Sequence, residues 1–502
     1  MNKPVVSEQT RLVLSELPGI TIDGKSHEPK FRVLYRELRK AVLSGQLKSG
    51  TRLPSTRILA RQLSISRNTV LNAFDQLIAE GYLETQTGAG TYVASKLPEH
   101  WSSAKPVNGK PITAIAPSIA LSNYANTLEN VSLRSDQGNQ TFAVGVPDLK
   151  AFPHKIWNRI SSQISPAGLP GLMGYDNPQG YTPLRESIAD YVRTSRAVNC
   201  HSNQILITCG AQQALDICSR LLLNPQDTAA MEEPGYIGTR RALISTGANV
   251  ELCPVDHQGL QLDFLDSLNS QPKLLYVTPA HQYPLGAMMP LERRLGLLNW
   301  ATKNNCWLVE DDYDSEYHYQ NRPIASLHSL ATTEQVIYMG SFSKVLFPSL
   351  RLGYLVLPEP LVSIFTKARQ EQSGLISAHS QAVTAEFMKQ GHFSRHLRKM
   401  RLLYADKLDC LLTTCKQLEP WCTVHARGAG MHLALEFIPE LSESEVSKEL
   451  FVQGVLHSRL SSYFQGNEKM QGLVLGFANS SHQQIVDGVE TIHQTIRKIH
   501  RR

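Results

Sequence analysis

Apolar residues recur in two different rhythms along this chain. Near the N-terminus Leu34, Leu38, Ala41 and Val42 fall at i, i+4, i+7 and i+8, the spacing that gathers side chains on one helical face, and the pattern stops at Ser44 and Gly45. After GTRLPS a short helix is predicted over STRILARQL, then the turn SIS. A third helix is predicted over RNTVLNAFDQLIAEG, where Val70, Ala73, Phe74, Leu77 and Ile78 form one stripe and Gly81 ends it. That stripe leaves Arg67, Asn68, Thr69 and Asn72 on the front of the helix. YLETQTGAGTYVA then reads as two short strands around a turn at Gly88 and Gly90. Three helices and a hairpin outline a winged helix-turn-helix, whose third helix presents its N-terminal side chains to base edges in the major groove.

From Thr141 onward short apolar runs alternate with amphipathic helical stretches, which predicts an α/β domain with a mainly parallel sheet. QILIT, KLLYVT, CWLVE and VIYMG are each followed by glycine or polar residues, in CGAQQ, PAHQYPLG, DDYD and SFSK respectively. Ligands of open α/β sheets gather at strand C-termini, so four such loops imply one site. Between Ser95 and about Gln140 the chain turns to Pro, Ser, Asn and Lys without sustained periodicity, as a tether does. At up to about 3.3 Å per residue it is long enough to reach a partner subunit. The expected division is a DNA-reading domain over 25–95, a linker over 96–140 and a second domain over 141–502.

Charge sharpens the first half of this picture. The net charge is only +6, yet Lys30 to Val70 holds ten Lys and Arg against one acid, Glu37. A local cationic patch on a near-neutral chain points to a polyanion, here duplex DNA. Arg67 and Asn68 suit bidentate contacts to guanine and adenine, whereas Arg52 and Arg57 suit phosphate. The length of 502 residues exceeds what one core serves, and 42% hydrophobic content is ordinary for globular protein. MNKPVVSEQTRL lacks an apolar leader and no apolar run approaches the roughly 20 residues a bilayer needs, so a cytoplasmic location is expected. The eight cysteines all lie beyond residue 199 without zinc-like spacing; reduced core thiols and no metal are expected.

MGSFSKVLFPSLRLGY places Lys344 among hydroxyls at the end of an apolar run, with Arg351 seven residues on. A lysine amine in such a place serves pyridoxal phosphate (PLP) by condensing with its aldehyde. Such a cofactor needs backbone N–H groups at a helix start for its phosphate, which Gly210, Ala211 and Gln212 offer. Ser341, Ser343 and Arg351 add hydroxyl and guanidinium donors. A carboxylate must face the pyridine nitrogen, and Asp311 is the candidate. Tyr313 offers a phenol near the ring hydroxyl, and Tyr236 in EEPGY an aromatic face.

Gly50 to Val93 resembles the GntR superfamily of bacterial regulators, through GxxLPSxRxLAxxLxISRNTV and LxxxGYLxxxxGxGTYV. Thr141 to Arg502 resembles fold type I PLP enzymes, the aspartate aminotransferase fold, through the loops above and through GYDNPQGYTPLRESIADYV and GVPDLKAFP. That resemblance implies that Lys344 is the Schiff-base lysine and Arg351 the phosphate arginine. It also implies that Asp311 pairs with the ring nitrogen, that Tyr313 bonds the ring hydroxyl and that Tyr236 stacks. Two motifs depart from working aminotransferases. HQYPLG puts Tyr283 where they commonly carry Asn, and GLVLGFANSS has no arginine for a substrate carboxylate, with Arg427 and Arg240 the remaining candidates.

Together the two halves resemble the MocR/GabR group of regulators. The resemblance implies a transcription factor that binds PLP, senses an amine, an amino acid or PLP itself, and forms a head-to-tail homodimer. The alternative is a working aminotransferase whose N-terminal module only localises it.

Overall fold

This computed structural model describes residues 28–97, 122–128, 140–164, 172, 174 and 177–501, apart from 87, 320–323, 374–375, 427 and 468. Most of the expected linker, and Arg427, lie outside the described residues. The chain divides into two units, Met1–Ile119 and Ala120–Arg502.

In the smaller unit the helices run Lys30–Leu43, Thr56–Gln62 and Arg67–Ala79, followed by the antiparallel strands β1 (Leu83–Gln86) and β2 (Gly90–Val93). Serines start the second and third helices. Ser55 Oγ accepts from the Ile58 N–H at 3.4 Å and Ser66 Oγ from the Thr69 N–H at 3.1 Å, satisfying N–H groups that have no partner within the helix. Leu34, Leu38, Ala41 and Val42 pack with Val70, Ala73, Phe74 and Leu77, while Ile78 sits partly buried at the rim of this core. The segment GTRLPS, between the first two helices, pairs with the wing. The Leu53 N–H donates to Thr91 O at 2.8 Å, and the Val93 N–H to Thr51 O at 2.9 Å.

The larger unit is built on an eight-stranded sheet. Its strands are β3 (Ile205–Thr208), β4 (Thr228–Glu233), β5 (Asn249–Asp256), β6 (Gly259–Leu260), β7 (Leu274–Val277), β8 (Trp307–Asp312), β9 (Val336–Ser341) and β10 (Gly353–Val356). They lie in the order β3-β10-β9-β8-β7-β4-β5-β6. β5, β4, β7, β8 and β9 are mutually parallel; β10 runs against both β9 and β3, and β6 against β5. In β3, Leu206 joins the core on one face while Ile205 and Ile207 join that on the other, the mark of a sheet covered on both sides. β3 runs with β9, so the C-terminal ends of β3, β4, β7, β8 and β9 share one edge. Beyond it a four-stranded antiparallel sheet holds β11 (Cys422–His425), β12 (His432–Phe437), β13 (Ser458–Arg459) and β14 (Gly472–Gly476), in the order β11-β12-β14-β13. All eight cysteines are free, and Cys209 and Cys410 are only partly buried. Among the described residues no helix is long and apolar enough to cross a membrane.

Candidate functional site

The shared strand edge opens into a pocket. Ala211, Gln212, Tyr236, Asp311, Tyr313, Ser341, Ser343, Lys344 and Arg351 all line it. Gly210 caps the helix Ala211–Leu222 with φ 78°, a conformation glycine adopts freely, and the first two residues of that helix, Ala211 and Gln212, line the pocket. Register brings the parts together: Gly353 of β10 pairs with Thr208 of β3 on one side and with Ser341 of β9 on the other. Arg351 sits just before β10, its guanidinium donating to Cys209 O at 3.2 Å beside that helix start. Helix N–H groups, two serines and a guanidinium are the donor set a phosphate monoester takes.

Lys344 follows β9, and its Nζ donates to Gly145 O at 2.8 Å. A Cβ on Gly145 would lie 2.2 Å from Nζ, where φ is already +72°. Gly145→Ala is therefore expected to displace the amine and lower cofactor affinity. Titration of the visible band would show this, and unaltered binding would place the working position of the lysine elsewhere.

Asp311, near the end of β8, is buried. Its Oδ2 accepts from Tyr276 OH at 2.5 Å, and among the described residues its Oδ1 has no hydrogen-bond partner. Burial pushes its pKa up to about 7, with the Tyr276 hydroxyl opposing the rise and Asp312 and Asp314 adding to it. An orphaned carboxylate oxygen in a pocket is suited to a cationic donor such as a protonated pyridine nitrogen, so the residues present fit the cofactor. Without cofactor, the folded pKa lies above the ordinary 3.8, so stability from the neutral form is complete below that value and is lost as pH rises through about 7. Glu232, buried and also raised to about 7, adds to the same trend. In cofactor-free protein Asp311→Asn is expected to flatten part of the fall in melting temperature between about pH 4 and 7, with little effect above pH 7. An unchanged slope would contradict the assignment.

Tyr313 OH lies 3.0 Å from His281 Nδ1, which in turn lies 3.1 Å from Asp314 Oδ1. His432, at the start of β12, holds its Nε2 3.1 Å from Pro284 O, and burial lowers its pKa to about 3, so it stays neutral. Donor atoms of His281, Asp314 and His432 lie within 4.8 Å of one another, a grouping that sequence spacing did not disclose because it draws on three separate segments. Tyr283 lies between these groups and Tyr236, its ring edge-on to Tyr236, Tyr313 and His432 and its hydroxyl 3.0 Å from Tyr463 OH. Gly145 and Tyr276 were missed as well. The first is one glycine in an extended motif, and the second reads as an ordinary strand residue. Of the remaining candidates for a carboxylate arginine, Arg427 lies outside the described residues and Arg240 is not among those lining the pocket; its Nε is buried, with no partner among the described residues.

In the smaller unit Arg67, Asn68 and Asn72 are exposed along one end of the third helix. The Thr69 hydroxyl is engaged in the helix cap, 2.8 Å from Ser66 Oγ. Arg52 pairs with Tyr92 of β2, and its guanidinium Nε lies 3.1 Å from where a Cβ on Gly90 would sit. Gly90, with φ +124°, thus both turns the wing and leaves room for Arg52, while Gly88 turns at φ +77° and Arg57 is exposed on the second helix.

The fold and pocket define a DNA-reading module joined to an aminotransferase-type domain that takes PLP. Residues 31–93 match the bacterial regulatory proteins of the gntR family, and residues 160–472 match aminotransferase class I and II. The chain is 38% identical over 474 residues to the probable rhizopine catabolism regulatory protein MocR of Rhizobium meliloti, covering 94% of this chain and 95% of that protein. It is 31% identical over 473 residues to the pyridoxine biosynthesis transcriptional regulator PdxR of Corynebacterium glutamicum, covering 93% and 96%. Among solved structures it is similar to the α-aminoadipate aminotransferase LysN of Thermus thermophilus, complexed with N-(5'-phosphopyridoxyl)-L-leucine. The identity is 26%, the TM-score 0.68, and the coverage 75% of this chain and 95% of that one. The chain belongs to the MocR family of GntR-type transcriptional regulators, and PLP is its cofactor.

Proposed function

We propose that this regulator reads its operator as a head-to-tail homodimer in the cytoplasm, and that a small amine or amino acid, or PLP itself, changes that reading by occupying the pocket. In this reading the DNA-reading domain spans 25–95, the tether 96–140 and the effector and dimerisation domain 141–502. The observation that supports it most is the convergence of Lys344, Asp311, Ser341, Ser343 and Arg351 on one pocket in a chain that also carries a DNA reader.

When bound, PLP supplies a carbonyl for amines and a ring that accepts electron density. The chain does the rest. Ser341, Ser343, Arg351 and the helix start at Gly210, Ala211 and Gln212 hold the phosphate. Asp311 keeps a proton on the ring nitrogen, and Tyr276 orients Asp311. Tyr313 donates toward the ring hydroxyl, Tyr236 packs on the ring, and Lys344 anchors the cofactor covalently.

Coupling to DNA requires that the occupant favour one arrangement of the readers over another. Fluorescence anisotropy on the gene's own upstream region, with and without PLP and candidate amines, tests this; specific binding unmoved by any of them would refute the coupling. The assembled lysine, aspartate and phosphate set also supports the tethered-enzyme reading. Multiple-turnover conversion of an amino acid to its keto acid would establish that reading; its absence, with spectral binding intact, favours the sensor.

A further inference from the structure

Among the described residues that line the pocket, the basic side chains are Lys344 and Arg351. Both have assigned work, the first at the cofactor carbonyl and the second, with the serines, at the phosphate. The rest of the lining includes Val144, Tyr283, Tyr313, Asp314, Met431 and His432. None of these is a cation: His432 is held neutral by burial, and Asp314 is a carboxylate. Behind Val144 and Tyr283 lies an apolar cluster containing Ala434, Leu460 and Val474. A ligand carboxylate in this pocket would be stripped of water beside Asp314, and the described lining residues offer it no cation beyond Lys344 and Arg351. An ammonium or hydroxyl group would instead find phenol oxygens and a carboxylate as acceptors.

We propose that the effector is a primary amine lacking a carboxylate, with its remaining polar groups, hydroxyl or a second ammonium, set against Asp314 and the tyrosine hydroxyls. Its amine takes the place of Lys344 on the cofactor carbonyl. One carbon–nitrogen bond would form as another breaks, the incoming ammonium would give up the proton that the released lysine amine takes up, and no oxidation state would change. This rests on the reading that the pocket is the effector site, and the test separates the two.

PLP-loaded full-length protein is titrated with pairs differing only in the carboxylate: ethanolamine and serine, putrescine and ornithine, tyramine and tyrosine. Both the visible spectrum and anisotropy on the upstream DNA are followed. In the responding pair the amine is expected to bind about tenfold or more tightly than its amino acid, a difference of about 1.4 kcal/mol. An amino acid that binds as tightly as its amine overturns the proposal. So does a panel in which no amine perturbs the spectrum while the Lys344-dependent band is present, which would leave PLP alone as the signal. Absence of that band in the wild-type protein would instead refute the cofactor reading. Asp314→Asn is expected to narrow the amine-over-acid ratio, and an unchanged ratio in the folded variant overturns the part given to Asp314.

Discussion

Lys344→Ala is expected to abolish the visible absorption of the PLP-loaded protein while leaving its secondary structure in place. Lys344 Nζ stands in the lined pocket, donating to Gly145 O at 2.8 Å, so its loss removes the amine without opening the core. Phosphate and ring contacts through Ser341, Ser343, Arg351 and Asp311 remain, and they should still hold the cofactor noncovalently, about tenfold or more weakly. Borohydride reduction of the wild type followed by peptide mapping should recover the label on Lys344. Label on another lysine, or a visible band that survives the substitution, would remove the anchor role and with it the pocket's claim to be the sensor.

The second large effect is expected on the DNA. Arg67 and Asn68 lie exposed at the start of the third helix, whose axis is fixed by the Ser66 cap and by the Val70, Ala73, Phe74 and Leu77 stripe. Replacing either with alanine should cost roughly 1–3 kcal/mol at the preferred operator and relax the choice of base at one position per half-site. Arg52→Ala and Arg57→Ala should act differently, weakening all sequences alike and flattening the salt dependence by about one unit of slope each. Arg52 carries an added structural effect, since its guanidinium packs along Gly90 of the wing. Titrations of specific and scrambled duplexes at several salt concentrations separate the two classes. Uniform losses from Arg67→Ala and Asn68→Ala would move base readout to other residues.

How far each half was legible follows from the range of the interactions that build it. Helix periodicity, serine caps and glycine stops act within a few residues. The three helices and the hairpin of the small unit could therefore be read from local pattern, and so could the exposed ends of Arg67 and Asn68. The four strand ends of the large domain were legible for the same reason: buried parallel strands are short apolar runs, and the polar residues after them stand out. That Lys344, Asp311 and Gly210 belong to one site followed from a resemblance and from the general habit of α/β sheets.

The sequence by itself determined the helices and hairpin of the reader, its basic patch and the strand ends that line the pocket, because each rests on local pattern or on a contiguous motif. Only the tertiary structure decided which neighbours act on those groups. Strand register placed Tyr276 against Asp311, and the packing of remote segments set Gly145 under the Lys344 amine. The meeting of three segments gathered His281, Asp314 and His432 beside Tyr313. It also decided the pocket's charge, because burial, which no local pattern encodes, keeps His432 neutral and raises the pKa of Asp311.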